Sequence, residues 1–558
     1  MKKKPGKIHL NPYIPASVLF FLFQCAEFDL QHGKMTKITI LYVLWLVLRS
    51  VLSGCILGIL IPKALEFIGK LKAERTASGE KKTDEDAKRS SHAFFFISWA
   101  VITLGFLPYY LAYYPGICAY DAGIQIGQCV SDMFNEHHPL LHTLLLRVFW
   151  NLGNKLSGGV TAGIGLFVFL QMILLSLSFA YAISLLIKRG LSKRGAMVLT
   201  AISALYPYNA YIAISVTKAG LFSAAFISAG TMLLLSLYDD RNSLAFKCED
   251  VILCLLLFPV MFFRNNARYA VFAVLFFCLM GLAFSRKRRK LYARLSIILA
   301  ASGVLSMIII TAVFNGLNAT QSDRREMLSI PIQQLGRAAF YHEGELTESE
   351  TAAMNGLILD EAWREYDPLI ADPIKRHFNT YYVLHNSGET VSTYLSLLKK
   401  YPEDFVGAVL AVDSGYLYVF DRSCLDIYAS SGKQGLGFVQ TRWSEDVYGY
   451  GLEKRSVLPG LLALLEKMND ENTLQRIPVL GLIFLPGWVF WAYVFITFGS
   501  MKKNASRMLP GLCLPLAYIG TLILGPTVQM RYLYPVWLLL PFVVAIYACL
   551  RGDADEIS

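Results

Sequence analysis

Charged residues are scarce in this sequence. They fill 17% of 558 positions, where soluble chains hold nearer a quarter, and that shortage excludes an ordinary soluble enzyme. Cysteine occurs ten times but never as CxxC or at zinc-ligand spacing, so neither a zinc site nor a thioredoxin-type centre is expected. There is no internal repeat, heptad seam or low-complexity tract. The missing inverted repeat counts against many secondary transporters. No small-residue cleavage site follows the basic Met1–Lys7 and the short apolar run Ile14–Phe28, so no removable signal is expected. Gly-rich phosphate loops are also missing: "GLGF" near Gly435 lacks the strand–helix setting such a loop needs.

Apolar runs are what the chain has in abundance. Hydrophobic residues make up 55% of it, in repeated stretches of about 20 residues that match a bilayer core. Spans are expected near 14–28, 38–62, 93–113, 160–187, 195–214, 218–238, 249–263, 268–285, 294–315, 477–499, 508–525 and 531–550. They must be helical, because lipid offers no partner for free backbone groups. The chain therefore reads as an α-helical polytopic membrane protein.

The formal net charge of +11 is a topology signal. Basic clusters sit in short gaps between apolar runs, at Lys188–Arg194, Arg286–Arg294 and Lys502–Arg507, which marks those loops as cytoplasmic. No nucleic-acid partner is implied. More than half of the acidic residues fall instead between 316 and 475. The expected organisation is N-terminal spans in 1–62, a cytoplasmic linker at 63–92, a transmembrane module at 93–315 with an outer loop at 113–159, an extracytoplasmic domain of mixed structure at 316–475, and C-terminal spans in 476–558.

One stretch breaks the apolar monotony. "YYPGICAYDAGIQIGQCVSDMFNEHHPLLH" runs from Tyr113 to His142. Pro115 and Gly116 end a span at the water interface, and Asp121 follows at headgroup depth. Residues 123–133 and 139–156 have amphipathic helical spacing that suits helices lying on the membrane surface. Cations recur at the same level: Lys218 opens a span, Arg264 and Arg268 bracket the short turn "RNNAR", and Arg531 opens the last span. Arg and Lys bind an anionic phosphate and stabilise charge on a departing one, while a carboxylate takes a proton from an incoming hydroxyl. Taken singly, each cation also fits snorkelling to headgroups, and Asp121 also fits a helix cap. His138 and His142, four residues apart, share a helical face, but a third metal ligand is missing from the pattern. Gln125 suits a sugar contact or a turn cap. Cys118 and Cys129 share the loop, either as buried thiols or as a disulfide. Arg325, Gln333, Gln334 and Arg337 in "REMLSIPIQQLGR" fit either an acceptor groove or a packed amphipathic helix.

At these residues the sequence resembles the C-type glycosyltransferase superfamily (GT-C), which includes protein O-mannosyltransferases and aminoarabinose transferases. Its acidic motif in the first outer loop is matched by Asp121 in "YPGICAYDAGIQ", and its His-Pro element by His138-Pro139-Leu140. "FRNNARY", "REMLSIPIQQLGR" and "RYLYP" look like a group of uncharacterised bacterial membrane proteins usually assigned to that superfamily, over most of 93–550. The resemblance implies a bundle of 11–12 spans with juxtamembrane helices in the first outer loop, in a cell membrane with the active site on the extracytoplasmic face. It implies a polyprenyl-phosphate-linked sugar as donor and a glycan, lipid or protein hydroxyl as acceptor. It makes Asp121 the general base, with Arg264, Arg531, Lys218 and Arg268 toward the donor phosphate and His137, His138 and Gln125 orienting the loop or substrate. Many relatives carry Asp-Glu where Asp121 is followed here by Ala122, so an acid pair for metal is missing. A divalent metal is the one cofactor candidate, and that departure counts against it. A transporter or flippase of a lipid-linked glycan, or an inactive scaffold, are the alternative readings.

Overall fold

The structure is a computed structural model that describes residues 11–35, 37–76, 84–156, 158–238, 242–421, 439–501 and 506–555. The "GLGF" motif, the basic Met1–Lys7 and most of the basic cluster at Lys502–Arg507 lie outside these residues. Helices α1 (Tyr13–Gln31), α2 (Ile40–Thr76) and α3 (Asp84–Ala112) lead to two short helices, α4 (Ala122–Ser131) and α5 (Leu140–Gly153). The bundle continues with α6 (Gly159–Lys188), α7 (Lys193–Leu205), α8 (Pro207–Ala213), α9 (Lys218–Tyr238), α10 (Cys248–Phe263), α11 (Ala267–Phe284) and α12 (Arg289–Gly316). A polar insertion carries α13 (Ser329–His342), α14 (Glu348–Leu357), α15 (Asp372–Arg376), α16 (Thr380–His385), α17 (Ser387–Lys400) and α18 (Pro402–Leu417). After α19 (Glu445–Gly449), α20 (Pro459–Asp470) and α21 (Thr473–Arg476), the chain returns to the bundle as α22 (Gly487–Ser500), α23 (Leu509–Ile523) and α24 (Met530–Asp555).

Among the described residues, nine helices are long and apolar enough to cross a membrane. The other three expected spans are present as shorter helices. The run 195–214 is split where Pro207 forces Tyr206 into an extended conformation, with ψ 114, as the residue before a proline prefers. The run 249–263 forms the 16-residue α10, and 477–499 gives only the 14-residue α22, entered through a 3-10 turn at Leu480–Phe484. The region 316–475 departs from expectation more sharply. Its described residues form helices with isolated β-bridges only: residues 332–405 surround a separate core containing Ile332, Leu335, Trp363 and Phe405, whereas Val439, Trp443, Val447 and Leu465 join the main core of the bundle.

Helix α9 is the centre of the bundle. Of its most apolar window, 94% is buried, against α6, α10, α23 and α24. Ala219, Gly220, Ser223, Ala224, Ala225, Ser228 and Ala229 give it a narrow profile, which lets neighbouring backbones approach closely. Helix α2 is the opposite case: Ile40, Leu41, Leu44 and Trp45 are all exposed, the pattern expected of a face turned to lipid.

Asp121 and Lys218 come from segments pinned together by backbone. The Ile117 N–H donates to the Ile214 carbonyl at 2.9 Å, and the Val216 N–H donates to the Ile117 carbonyl at 2.9 Å. Buried Gln171 on α6 braces this junction, its Nε2 donating to the carbonyls of Ile212, Ala213 and Ser215 at 3.4, 3.0 and 2.8 Å. Gly116 makes the approach feasible. It has φ 144, and a Cβ there would lie 2.7 Å from Val168 Cγ2 and 2.9 Å from the Ile214 carbonyl oxygen. Gly116→Ala should therefore destabilise the protein by roughly 1–3 kcal/mol through backbone strain, read as a lowered Tm in detergent; an unchanged Tm would contradict this account.

Candidate functional site

Asp121 occupies the N-cap position of α4, yet its side chain makes no cap hydrogen bond. Its Oδ2 instead lies 3.1 Å from Arg531 Nη1, 3.3 Å from Lys218 Nζ and 3.7 Å from His138 Nδ1. The cap reading thus gives way to an ion-pair cluster, because charged donors bind a carboxylate more strongly than neutral amides do. Burial alone would raise the Asp121 carboxyl. Arg531 and Lys218 outweigh it and hold the group well below the usual carboxylate range.

Arg531 is fixed on every side. Its Nε donates to Gln529 Oε1 at 2.6 Å and its Nη2 to the Tyr532 hydroxyl at 3.0 Å. The guanidinium lies between the rings of Tyr120 and Tyr532, 4.2 and 4.8 Å from their centroids, contacts worth about 0.5–2 kcal/mol each. Tyr120 adopts left-handed φ 55, a conformation that costs a bulky residue energy, and its hydroxyl accepts from the Gln440 N–H at 2.8 Å. Buried Arg264 sits behind, its Nη2 donating to the Arg531 carbonyl at 3.1 Å, with Phe222 and Tyr532 on its faces. Its Nε is buried without a partner.

His138 and His142 are held toward the neutral form. Burial first, then the Lys218 charge, push both His138 and His142 down to about 3. Lys218 Nζ is 3.4 Å from His138 Nδ1, so that nitrogen accepts and Nε2 carries the proton. The Nε2 is buried without a partner.

Other expected site residues lie elsewhere. Arg268 donates to Asn265 Oδ1 at 2.6 Å and makes no ion pair with Asp121. Two of the three cations named alongside it therefore contact Asp121 directly, and Arg264 stands one layer back. His137 is exposed, beside Ser322 Oγ at 3.3 Å. Gln125 is fully buried, donating to Thr143 Oγ1 at 2.9 Å while its Oε1 accepts from His142 Nδ1 at 3.1 Å, and so orients the loop by locking α4 to α5. Gln333, Gln334 and Arg337 bond to the Asp367 carbonyl, the Phe405 carbonyl and Asp404, and Arg325 to the Arg376 carbonyl. All four serve the packing of the polar insertion. Cys118 and Cys129 are buried free thiols. Among the described residues no group of three or more His, Cys, Asp or Glu is arranged to hold a metal ion.

Sequence reasoning missed Tyr120, Gln529 and Tyr532, which hold Arg531. The signal was adjacency, since each lies within two residues of a charged site residue. It also missed acids at one end of α1: buried Glu27, and Asp29 paired with Arg49.

Two hollows flank the cluster's helices. A polar cleft of about 450 Å³ is lined by Asp132, Arg147, Trp150, Asn151, Asn154 and Tyr450, at the far end of α4 from Asp121. An apolar groove of about 410 Å³ is lined by Phe179, Leu205, Tyr206, Phe484, Trp488, Trp537 and Phe542. Trp537 follows Arg531 by six residues, about 9 Å along α24 at 1.5 Å per residue.

Residues 130–555 match the family described as "Family of unknown function (DUF6020)". No curated protein and no solved structure matches the chain.

The depressed Asp121 carboxyl fixes a pH dependence. A group whose folded value lies below its unfolded value, near 3.9, stabilises fully above that value and loses its contribution as pH falls through the folded value. Asp121→Asn should lower stability by roughly 3 kcal/mol. The Tm gap between variant and wild type should stay constant from about pH 8 to about pH 5; a gap that closes over that range would show a carboxyl that is not held down.

Proposed function

The chain belongs to the DUF6020 family, and we propose that it is a membrane glycosyltransferase that moves a sugar from a polyprenyl-phosphate donor to an acceptor hydroxyl at the extracytoplasmic face. The observation that carries this reading is one carboxylate, Asp121, shared by Lys218 and Arg531 with Arg264 behind them. Clustered guanidinium and ammonium groups at the end of a helix bundle suit a phosphate at headgroup level. The apolar groove on the helix that carries Arg531 suits the lipid tail of the same molecule. The polar cleft at the far end of α4, with its amides and aromatic rings, suits an acceptor rich in hydroxyls.

In the reaction, the acceptor O–H bond breaks and its proton goes to Asp121. The acceptor oxygen forms a bond to the anomeric carbon from the face opposite the phosphate. The bond from that carbon to the phosphate oxygen breaks, and its electron pair leaves with the lipid phosphate, stabilised by Arg531, Lys218 and Arg264. The product has inverted configuration. His138 Nε2–H is a further donor beside this centre.

A transporter or flippase draws on a different observation. Glu27 and Asp413 are buried where α1 meets α18, with carboxylate oxygens that lack hydrogen-bond partners. They do not contact the cation cluster, and a path through the bundle calls for ionisable groups at successive depths.

Lipid and glycan mass spectrometry of cells with and without the gene tests the assignment, with accumulation of one sugar-linked polyprenyl phosphate expected in its absence. In membrane vesicles supplied with that lipid, Asp121→Asn should lower transfer about 10²–10⁴-fold with normal insertion; turnover at the wild-type rate would refute the role given to Asp121. Leu205→Trp, at the exposed mouth of the groove, should raise KM for long-chain donors and leave short-chain analogues unaffected.

A further inference from the structure

Asp121 sits where an anion is best bound. Its Oδ2 receives both Arg531 Nη1 at 3.1 Å and Lys218 Nζ at 3.3 Å. A carboxylate held in that way is a poor base, because protonation must first give up the two ionic contacts. Cations also outnumber acids here. Arg264 is buried with no carboxylate partner among the described residues, and its Nε has no partner at all. Such groups find their alternative partner in phosphate oxygens.

The charge arithmetic of the transfer fits this shortage. A sugar-linked lipid phosphate is a diester carrying one negative charge, and the lipid phosphate that leaves is a monoester approaching two. While the phosphate gains a charge, Asp121 loses one by taking the acceptor's proton. The negative charge facing Lys218, Arg264 and Arg531 is then the same before and after.

We propose that Lys218, Arg264 and Arg531 form a lipid-phosphate site whose resting occupant is the Asp121 carboxylate, so that phosphate and carboxylate compete for the same cations and an arriving lipid phosphate frees Asp121 to act as base. The release of a base rests on the transfer reading; the competition does not. Donor binding precedes deprotonation of the acceptor, and an empty site holds its base inactive.

The competition makes an unusual demand: removing the carboxylate must strengthen anion binding. Farnesyl phosphate, a short prenyl phosphate monoester, is titrated into the purified full chain in detergent, with inorganic phosphate in a parallel arm. Asp121→Asn, which mimics the protonated acid, should bind farnesyl phosphate about tenfold more tightly than wild type, since a like charge has been removed from the site. Lys218→Gln should bind it more weakly. Should Asp121→Asn fail to fold alone, Arg264→Gln is compared with the double variant Asp121→Asn/Arg264→Gln, which restores the wild-type charge balance and should show the same gain over Arg264→Gln. A gain of about threefold or more in either background supports the proposal, and a smaller change or a loss overturns it. Tightening toward both probes assigns the site to phosphate as such; tightening toward farnesyl phosphate alone assigns it to lipid-borne phosphate. If the gain is found but wild-type membranes transfer no sugar, the glycosyltransferase reading falls and the phosphate site stands.

Discussion

A single carboxylate among buried cations organises the cluster around which the rest of the structure is built. Asp121 meets Arg531 and Lys218 within 3.3 Å, and Arg264 lies behind with no acid of its own among the described residues. Buried charges are tolerated when paired and hydrogen-bonded, and breaking such a pair is expensive. The surroundings therefore supply everything short of a second acid: aromatic faces on Arg531 and Arg264, the Gln529 amide, the Arg531 carbonyl and a neutral histidine. The imbalance that is left over is the property on which the proposed binding of a phosphate rests.

Three separate segments must converge for this contact to exist, and each is clamped from outside the cluster. The Asp121 loop is bridged to the start of α9 through Ile117 and Val216. It is also overlaid by the segment after 439, where the Ser444 N–H donates to the Cys118 carbonyl and the Gln440 N–H to the Tyr120 hydroxyl. The loop before Arg531 is tied to the polar insertion: the Ala371 N–H donates to the Pro526 carbonyl, and the Tyr416 hydroxyl accepts from the Gln529 N–H while donating to its carbonyl. The insertion is thus part of the frame of the cluster as well as a folded unit with its own core.

The sequence made the bundle legible because lipid imposes one rule, long apolar helices, and the apolar runs obey it. It misled where proline interrupts a run, as at Pro207, since hydropathy averages across a break that the backbone cannot. The polar insertion was legible as a unit with helix-like stretches at Thr347–Trp363 and Val391–Lys400, where α14 and α17 lie, but not as helical throughout, because its aromatics and short helices carry no long period. At the cluster, Asp121, Lys218 and Arg531 stood out as charges at helix ends in an uncharged chain. Arg268 stood out for the same reason and lies elsewhere, since two arginines four residues apart in a tight turn need not face the same neighbour. Tyr120 and Tyr532 were hidden by their ordinariness in a chain with thirty tyrosines. Gln125 was open between a sugar contact, a turn cap and a loop-orienting role, and its buried amide, bonded to Thr143 and His142, falls to the last of these.

Gln171 shows what this construction implies for genetics. One amide nitrogen serves three backbone oxygens at the turn preceding Lys218, and no other hydrogen bond reaches across from α6 to replace it among those described. A screen that scores loss of function would flag position 171 beside Asp121, although the side chain touches no ion of the cluster. Inactivating alleles in this protein thus fall into two kinds, those that remove a charge and those that let the charges drift apart, and only the position of the lesion in the folded chain separates them.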